Sequence, residues 1–243
     1  SGPVTSALTI NFSVGGTARA GLTKGKSGVQ TVYDVFAVAP LGAGVVDPTA
    51  GSTLVTGYFT AAELKNILEF FLVDSPAHPG DYFPRTSGLR FRYDPARPKF
   101  DVVTAIELGD LDRGYTAIDL TAKNRKLYSL TCSLYVGMFL AAIPKMTKGA
   151  LALVAKNKTG QPLKSKSEAL DLPRVATPDL LPPAGTLDAS SIATQGRGGA
   201  VREIKEWQAI MDHLRRLPAK NPGELPALVI DERAREIRAI KAR

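Results

Sequence analysis

Apolar and polar positions along the 243-residue chain fall into short segments of helical or alternating period, punctuated by glycine and proline. The clearest helix covers residues 60–73. Thr60 stands at its N-cap with Glu63 three residues on, the spacing of a capping box. Leu64, Ile67, Leu68, Phe71 and Leu72 then keep to one helical face, and Ser75-Pro76 stops the pattern. The stretch Pro79–Asp94 follows. It opens on a Pro-Gly turn, and from Gly88 it alternates, with Leu89, Phe91 and Tyr93 on one side and Arg90 and Arg92 on the other. That is the period of a half-buried strand, closed by Asp94-Pro95. Helix, turn and arginine-faced strand form the unit around which the other segments are arranged.

Further strands are predicted at 7–12, 52–57, 100–108, 115–120, 127–131 and 149–155, with a turn at 110–114. Val32–Ala39 reads as a helical turn running into a strand. Residues 134–143 are apolar nearly all round, so period alone leaves helix and strand both open. Proline and small polar residues dominate 162–200, a long irregular connection. A second helix is expected at 201–217, with Val201, Ile204, Trp207, Met211 and Leu214 on one face and Pro218 after it. A charged terminal helix is expected at 231–243. Together these segments predict an α/β protein, with α+β the alternative: one mixed sheet with flanking helices. The expected division is a domain at 1–161, the connection at 162–200, and a helical C-terminal arm at 201–243 packing on the domain.

Composition narrows the chemistry. Hydrophobic residues make up 44% of the chain, enough for a core, yet no apolar run is long enough to span a bilayer. The N-terminus carries no charged-then-apolar leader, so a signal was removed or never present. The formal charge is +8, spread along the chain without a dense run, which argues against a dedicated nucleic-acid surface. Cys132 is the only cysteine, so an intrachain disulfide is excluded. The two histidines, His78 and His213, lie far apart with no paired metal-ligand spacing. Gly-x-Ser-x-Gly and Walker patterns are missing as well. The expectation is a chain with no complete catalytic centre and no cofactor of its own.

Candidate binding residues are few. Gly15-Gly16 with Arg19 follows the first strand; such a loop can admit an anion close to its backbone, with the arginine pairing bidentately. On spacing alone the plainer reading, a tight turn with a solvated arginine, leads. Tyr135 either stacks a ring on a ligand or sits in the core with its hydroxyl satisfied. Arg90 and Arg92 read as a solvated face, Cys132 as a small buried hydrophobe, His78 as an exposed loop residue, and Trp207 as a helix anchor.

Taken in order, the segments resemble the C-terminal substrate-binding domain of the bacterial and animal 5′-nucleotidases, secreted two-domain metallophosphatases. The family loop Asn-Gly-Gly-x-Ile-Arg is similar to Val14-Gly15-Gly16-Thr17-Ala18-Arg19. Its Asp-Val-x-x-Val-x-Pro-Phe-Gly turn is similar to Asp34–Gly42, its Gly-x-x-Leu helix start to Thr56–Leu64, and its Gly-x-Phe-x-x-x-Ser-Gly…Tyr-Asp run to Gly80–Asp94. The spacing of the last family strand and its aromatic is similar to Tyr128–Tyr135. The resemblance covers about residues 7–155. It implies that Gly15, Gly16, Arg19 and Tyr135 contact the substrate, a nucleotide or nucleoside-like molecule, with two aromatics sandwiching the base. It further implies a missing N-terminal metallophosphoesterase domain with a divalent metal pair, a periplasmic or secreted location, and a role in nucleotide catabolism. The departures are Val14 in place of the asparagine, Val45 in place of the first stacking aromatic, and Gly137–Ala141 in place of a Gly-Gly-Asp loop. They leave a second reading open: a non-catalytic interaction module with a degenerate nucleotide pocket.

Overall fold

The computed structural model describes residues 5–23, 28–45, 48–170, 193–196, 199–216 and 240–241. The central sheet has four strands in the order β2-β7-β1-β3: β1 (Thr5–Val14), β2 (Leu54–Phe59), β3 (Pro84–Ser87) and β7 (Leu127–Ser133). β1 runs parallel to β7, while β2 and β3 pair antiparallel at the two sides, so the sheet is mixed. Its faces follow from the strand period. Ile10, Phe12, Val14, Leu130, Cys132, Val55 and Phe59 are buried in the core. The opposite parity carries Asn11, Ser13, Thr131, Thr56, Arg85 and Ser87, a hydrophilic face on which the Thr56 and Thr131 hydroxyls bond at 2.8 Å.

The apolar face is covered by α2 (Ala61–Asp74), whose capping box forms as the sequence predicts. Glu63 N donates to Thr60 Oγ1 at 3.3 Å, and Thr60 N donates to Glu63 Oε2 at 2.8 Å. Leu64, Ile67, Leu68, Phe71 and Leu72 are buried, and Phe71 meets Phe12 at a ring separation of 5.3 Å. Each such side chain contributes about 1.5–3 kcal/mol on burial. The short α3 (Pro79–Tyr82) leads into β3. Gly88, at φ +78°, then turns the chain out of the central sheet; a β-carbon there would lie 2.7 Å from the Thr9 carbonyl oxygen.

Beyond that bend lies a second sheet of β4 (Leu89–Tyr93), β5 (Val103–Asp110) and β6 (Gly114–Ala117), joined antiparallel. The mixed sheet with flanking helices is thus accompanied by a second sheet. Glu69 of α2 ties the two together. Fully buried, it accepts from Val102 N at 2.9 Å, Val103 N at 2.8 Å and Lys65 Nζ at 2.7 Å.

Several local expectations change. Val32–Val38 is a helix throughout, α1, capped by Thr31 and Asp34, and no strand follows it directly. The apolar run at 134 resolves as helix α4 (Leu134–Met146), because Ser133 caps it and Gly137 sits close against Val55 and Cys132. Residues 149–155 keep a strand's alternation, with Leu151 and Leu153 buried between exposed neighbours, but join no ladder. Their polar groups bond to side chains of α2 instead: Asn66 Nδ2 donates to the Ala152 carbonyl, and Val154 N donates to Glu63. The second helix begins five residues later than expected, as α5 (Glu206–Arg216). The residues ahead of it are extended, because Lys205 bridges antiparallel to Thr53: Leu54 N donates to the Ile204 carbonyl and Glu206 N to that of Ser52. Val201 lies in β9 (Gly199–Arg202), which pairs with β8 (Ala193–Gly196) inside the stretch expected to be irregular. Of the expected helix at 231–243, all but 240–241 lies outside the described residues; Ile240–Lys241 form β10, parallel to β4.

Candidate functional site

The parallel pairing of β1 and β7 decides where the candidate residues go. Asn11 is level with Thr131, so both strands deliver their C-terminal ends to the same edge of the sheet. Beyond β1 comes a single 3-10 turn at Gly15–Thr17, then Arg19; beyond β7 comes the first turn of α4, with Tyr135. α3 and the starts of β2 and β3 reach the same edge from the antiparallel partners. Ligand sites in α/β sheets form at the carboxyl ends of parallel strands, where loops diverge.

The glycines act through close packing. A β-carbon on Gly15 would lie 1.7 Å from the Gly80 carbonyl oxygen, so only glycine lets α3 lie against the turn. Gly16 faces Asp81 in the same contact, at 3.3 Å. Thr17 pins the turn from within, donating to the Val14 carbonyl at 2.8 Å and sharing a hydrogen bond with Ser13. Arg19 N donates to the Val38 carbonyl at 2.9 Å, tying the loop to the end of α1. The Arg19 side chain is exposed and has no ion pair or side-chain hydrogen bond among the described residues.

Tyr135 is half-buried. Its backbone N–H donates to Ser52 Oγ at 2.8 Å, and its ring meets Phe139 edge-on at 5.3 Å; Phe139 is itself exposed. The first turn of α4 is internally satisfied, since Leu134 N donates to the Thr53 carbonyl and Val136 N to Ser133 Oγ. The chemistry available at this end of α4 is therefore ring stacking on Tyr135 and Phe139.

Sequence reasoning missed how far the arm takes part. Glu203 and Lys205 are fully buried beside the loop that leads into β2. Both carboxylate oxygens of Glu203 accept from Val45 N, at 3.0 and 3.1 Å, and Lys205 Nζ donates to the Thr49 carbonyl at 3.1 Å. Trp207 lies so close to Gly51 that a β-carbon there would be 2.5 Å from its ring, and Phe36 of α1 meets it edge-on at 6.1 Å. Burial pushes the Glu206 carboxyl above its ordinary range, a shift opposed by a hydrogen bond with Ser133. Burial, with the Glu206 charge adding to it, pushes the Cys132 thiol up to about 12, so it is no nucleophile. The arm's only sequence signal was the amphipathic stretch at 201–217; nothing local marked Glu203 and Lys205 for burial.

The remaining candidates take plain roles. Arg90 and Arg92 both pair with Glu107, and Arg90 also stacks over Tyr115. His78 is exposed and meets Tyr82 edge-on. Among the described residues no group of three or more His, Cys, Asp or Glu could hold a metal ion. No helix among them is long and apolar enough to cross a membrane.

The fold is a mixed α/β domain whose candidate residues lie on loops at the carboxyl ends of the parallel pair in its central sheet. The particular family follows from the sequence: the profile for the 5′-nucleotidase C-terminal domain matches residues 5–136, and the chain belongs to that family. Among solved structures, it is similar to the 5′-nucleotidase precursor from Thermus thermophilus, at 22% identity and a TM-score of 0.41, covering 64% of this chain and 32% of that one. It is also similar to Haemophilus influenzae NAD nucleotidase, at 22% identity and a TM-score of 0.40, covering 57% and 22%. A putative 5′-nucleotidase from Staphylococcus aureus, solved with alpha-ketoglutarate, is 16% identical, with a TM-score of 0.34 and coverages of 56% and 24%. This chain thus spans about a third or less of the length of these proteins. A comparison with curated proteins found no match.

Proposed function

We propose that this chain is the substrate-recognition domain of a 5′-nucleotidase-like phosphoester hydrolase, holding a nucleotide or related phosphoester at the edge that carries Gly15, Gly16, Arg19 and Tyr135. The observation that carries the reading is the state of the two key side chains. Arg19 is exposed and without an ion-pair partner among the described residues, and Tyr135 is half-buried beside an exposed Phe139. An arginine buried in an ion pair and a tyrosine in the core would have favoured a decayed pocket instead. Arg19 would pair with an anionic group of the substrate, and the Tyr135 ring would lie against its base.

In this reading the domain contributes binding and orientation. A divalent metal pair in a separate N-terminal metallophosphoesterase domain would supply the hydrolytic chemistry, in keeping with family membership. The division into a recognition domain at 1–161, a connection at 162–200 and an arm at 201–243 belongs to this proposal, as do a periplasmic or secreted location and a role in nucleotide catabolism.

A thermal-shift screen against nucleoside monophosphates, nucleosides and nucleotide sugars tests it. A ligand at a hundredfold its Kd stabilises by about 2.7 kcal/mol. For a chain of this size that corresponds to a rise of roughly 5–10 °C. The expected result is a shift with one ligand class that Arg19→Ala abolishes.

One observation favours the second reading, an interaction module without a working pocket. Val45 stands where the first stacking aromatic was expected, and its N–H is committed to Glu203. A screen with no shift for any ligand class would support that reading.

A further inference from the structure

Arg85 has no role in the reading above, yet it lies at the same turn. It sits on β3 directly opposite Ser13 of β1, which places its side chain on the hydrophilic face of the central sheet, diagonal to Gly15. Arg85 Nε lies 3.6 Å from the point where a β-carbon on Gly15 would stand, an ordinary contact distance. Arg85 Nε is therefore beside Gly15 at one end of the Gly15–Thr17 turn, and Arg19 follows just past the other end. Asp81, packed against Gly16, is the acidic residue of α3, and it forms no ion pair with Arg85.

What sets Arg85 apart is its place beside the turn, since Arg125 and Arg215 are likewise exposed without an ion pair among the described residues. Arg90, Arg92, Arg97, Arg113 and Arg216 each meet a carboxylate. Arg85, like Arg19, is exposed and has no ion pair or side-chain hydrogen bond among the described residues. A guanidinium beside a glycine turn, with its donors uncommitted, is suited to bidentate pairing with phosphate or carboxylate oxygens.

We propose that Arg85 is a second anion-binding residue of this edge, acting with Arg19 from opposite ends of the Gly15–Thr17 turn. The domain then selects ligands with more than one anionic centre, of the nucleoside diphosphate class, over neutral nucleosides. The inference rests on the proposed function for the organic part of the ligand, but not for its charged part.

The test is isothermal titration of the full chain with inorganic pyrophosphate, adenosine, AMP and ADP. Wild type is compared with Arg85→Ala, Arg85→Gln, Arg19→Ala and Arg125→Ala, the last an exposed arginine in the segment after β6. Circular dichroism checks that each variant is folded. Wild type should bind pyrophosphate and bind ADP more tightly than AMP. Either Arg85 variant should weaken pyrophosphate and ADP at least tenfold, with Arg125→Ala unchanged. Wild-type affinity for pyrophosphate in both Arg85 variants would overturn the inference, as would equal losses in Arg125→Ala, or no pyrophosphate binding at all. If AMP binds in an Arg19-dependent way while the Arg85 variants are indifferent, the recognition reading stands and this inference fails. If pyrophosphate binds through Arg85 while no nucleoside or nucleotide gains from its base, the inference stands and the recognition reading fails.

Discussion

Glu203→Ala is the most informative perturbation of the architecture, because it asks whether the arm is an integral part of the site. Glu203 is fully buried, accepts from Val45 N with both oxygens, and lies 3.7 Å from the Lys205 ammonium. At that separation the contact with Lys205 is an ion pair and not a hydrogen bond. Removing the carboxylate takes the Glu203 counter-charge from the buried Lys205 ammonium, which keeps its hydrogen bond to the Thr49 carbonyl, and breaking a buried pair from one side costs about 3–5 kcal/mol. It also strips the acceptor from Val45 N, a loss of roughly 1–3 kcal/mol that overlaps the first. The expected destabilisation is about 3–4 kcal/mol, a large share of a typical total of roughly 5–15 kcal/mol. Glu203→Gln keeps an acceptor for Val45 while removing the charge, so it should cost visibly less than alanine. Urea unfolding followed by Trp207 fluorescence gives both values, and a double-mutant cycle with Lys205→Met isolates the coupling. If Glu203→Ala unfolds within about 0.5 kcal/mol of wild type, the range of an ordinary surface substitution, the arm is not docked as described.

Other consequences follow from single residues. Gly15→Ala places a methyl group on the Gly80 carbonyl, so α3 must shift; the cost is about 1–3 kcal/mol by urea unfolding, with weaker ligand binding than wild type. Glu69→Ala removes the acceptor of Val102 N, Val103 N and Lys65 Nζ together, and a loss of about 3–5 kcal/mol is expected, with early amide exchange at the start of β5. Glu206 has a folded-state pKa raised above its usual value near 4.5, mainly by burial. Its protonated form therefore favours the folded state; this contribution is complete below that value and is lost as pH rises through the folded pKa. Glu206→Gln should accordingly stabilise the protein at pH 7 and flatten that part of the pH profile, whereas equal slopes in the two proteins would count against the assignment.

Much of this fold was legible from local pattern. The Thr60 and Glu63 capping box, the apolar stripe from Leu64 to Leu72 and the alternation of Leu89 to Tyr93 each depend on neighbours a few residues away, and each forms as expected. Where the sequence misled, the deciding partner was distant. Leu151 and Leu153 alternate like a strand, but Glu63 and Asn66 of α2 take their neighbours' backbone bonds. Ile204 fits the helical stripe expected over 201–217, yet Glu203 to Lys205 are drawn out flat along Ser52–Leu54 by main-chain pairing that side-chain period does not encode. The candidate site was legible only as separate loops. Gly15, Gly16, Arg19 and Tyr135 came from motif order, and parallel pairing of β1 with β7 brings their loops to one edge. Arg85 was hidden inside a motif read for its flanking glycines. The parity of a short strand opposite Ser13 was the signal that could have marked it.

The central claim, that this edge recognises a nucleotide, is tested most directly by titrating the isotope-labelled chain with AMP and following backbone amide resonances. The account predicts saturable shifts concentrated at residues 15–19 and 134–139, which vanish in Arg19→Ala. Saturable shifts confined to another surface, or none at millimolar AMP, would contradict it.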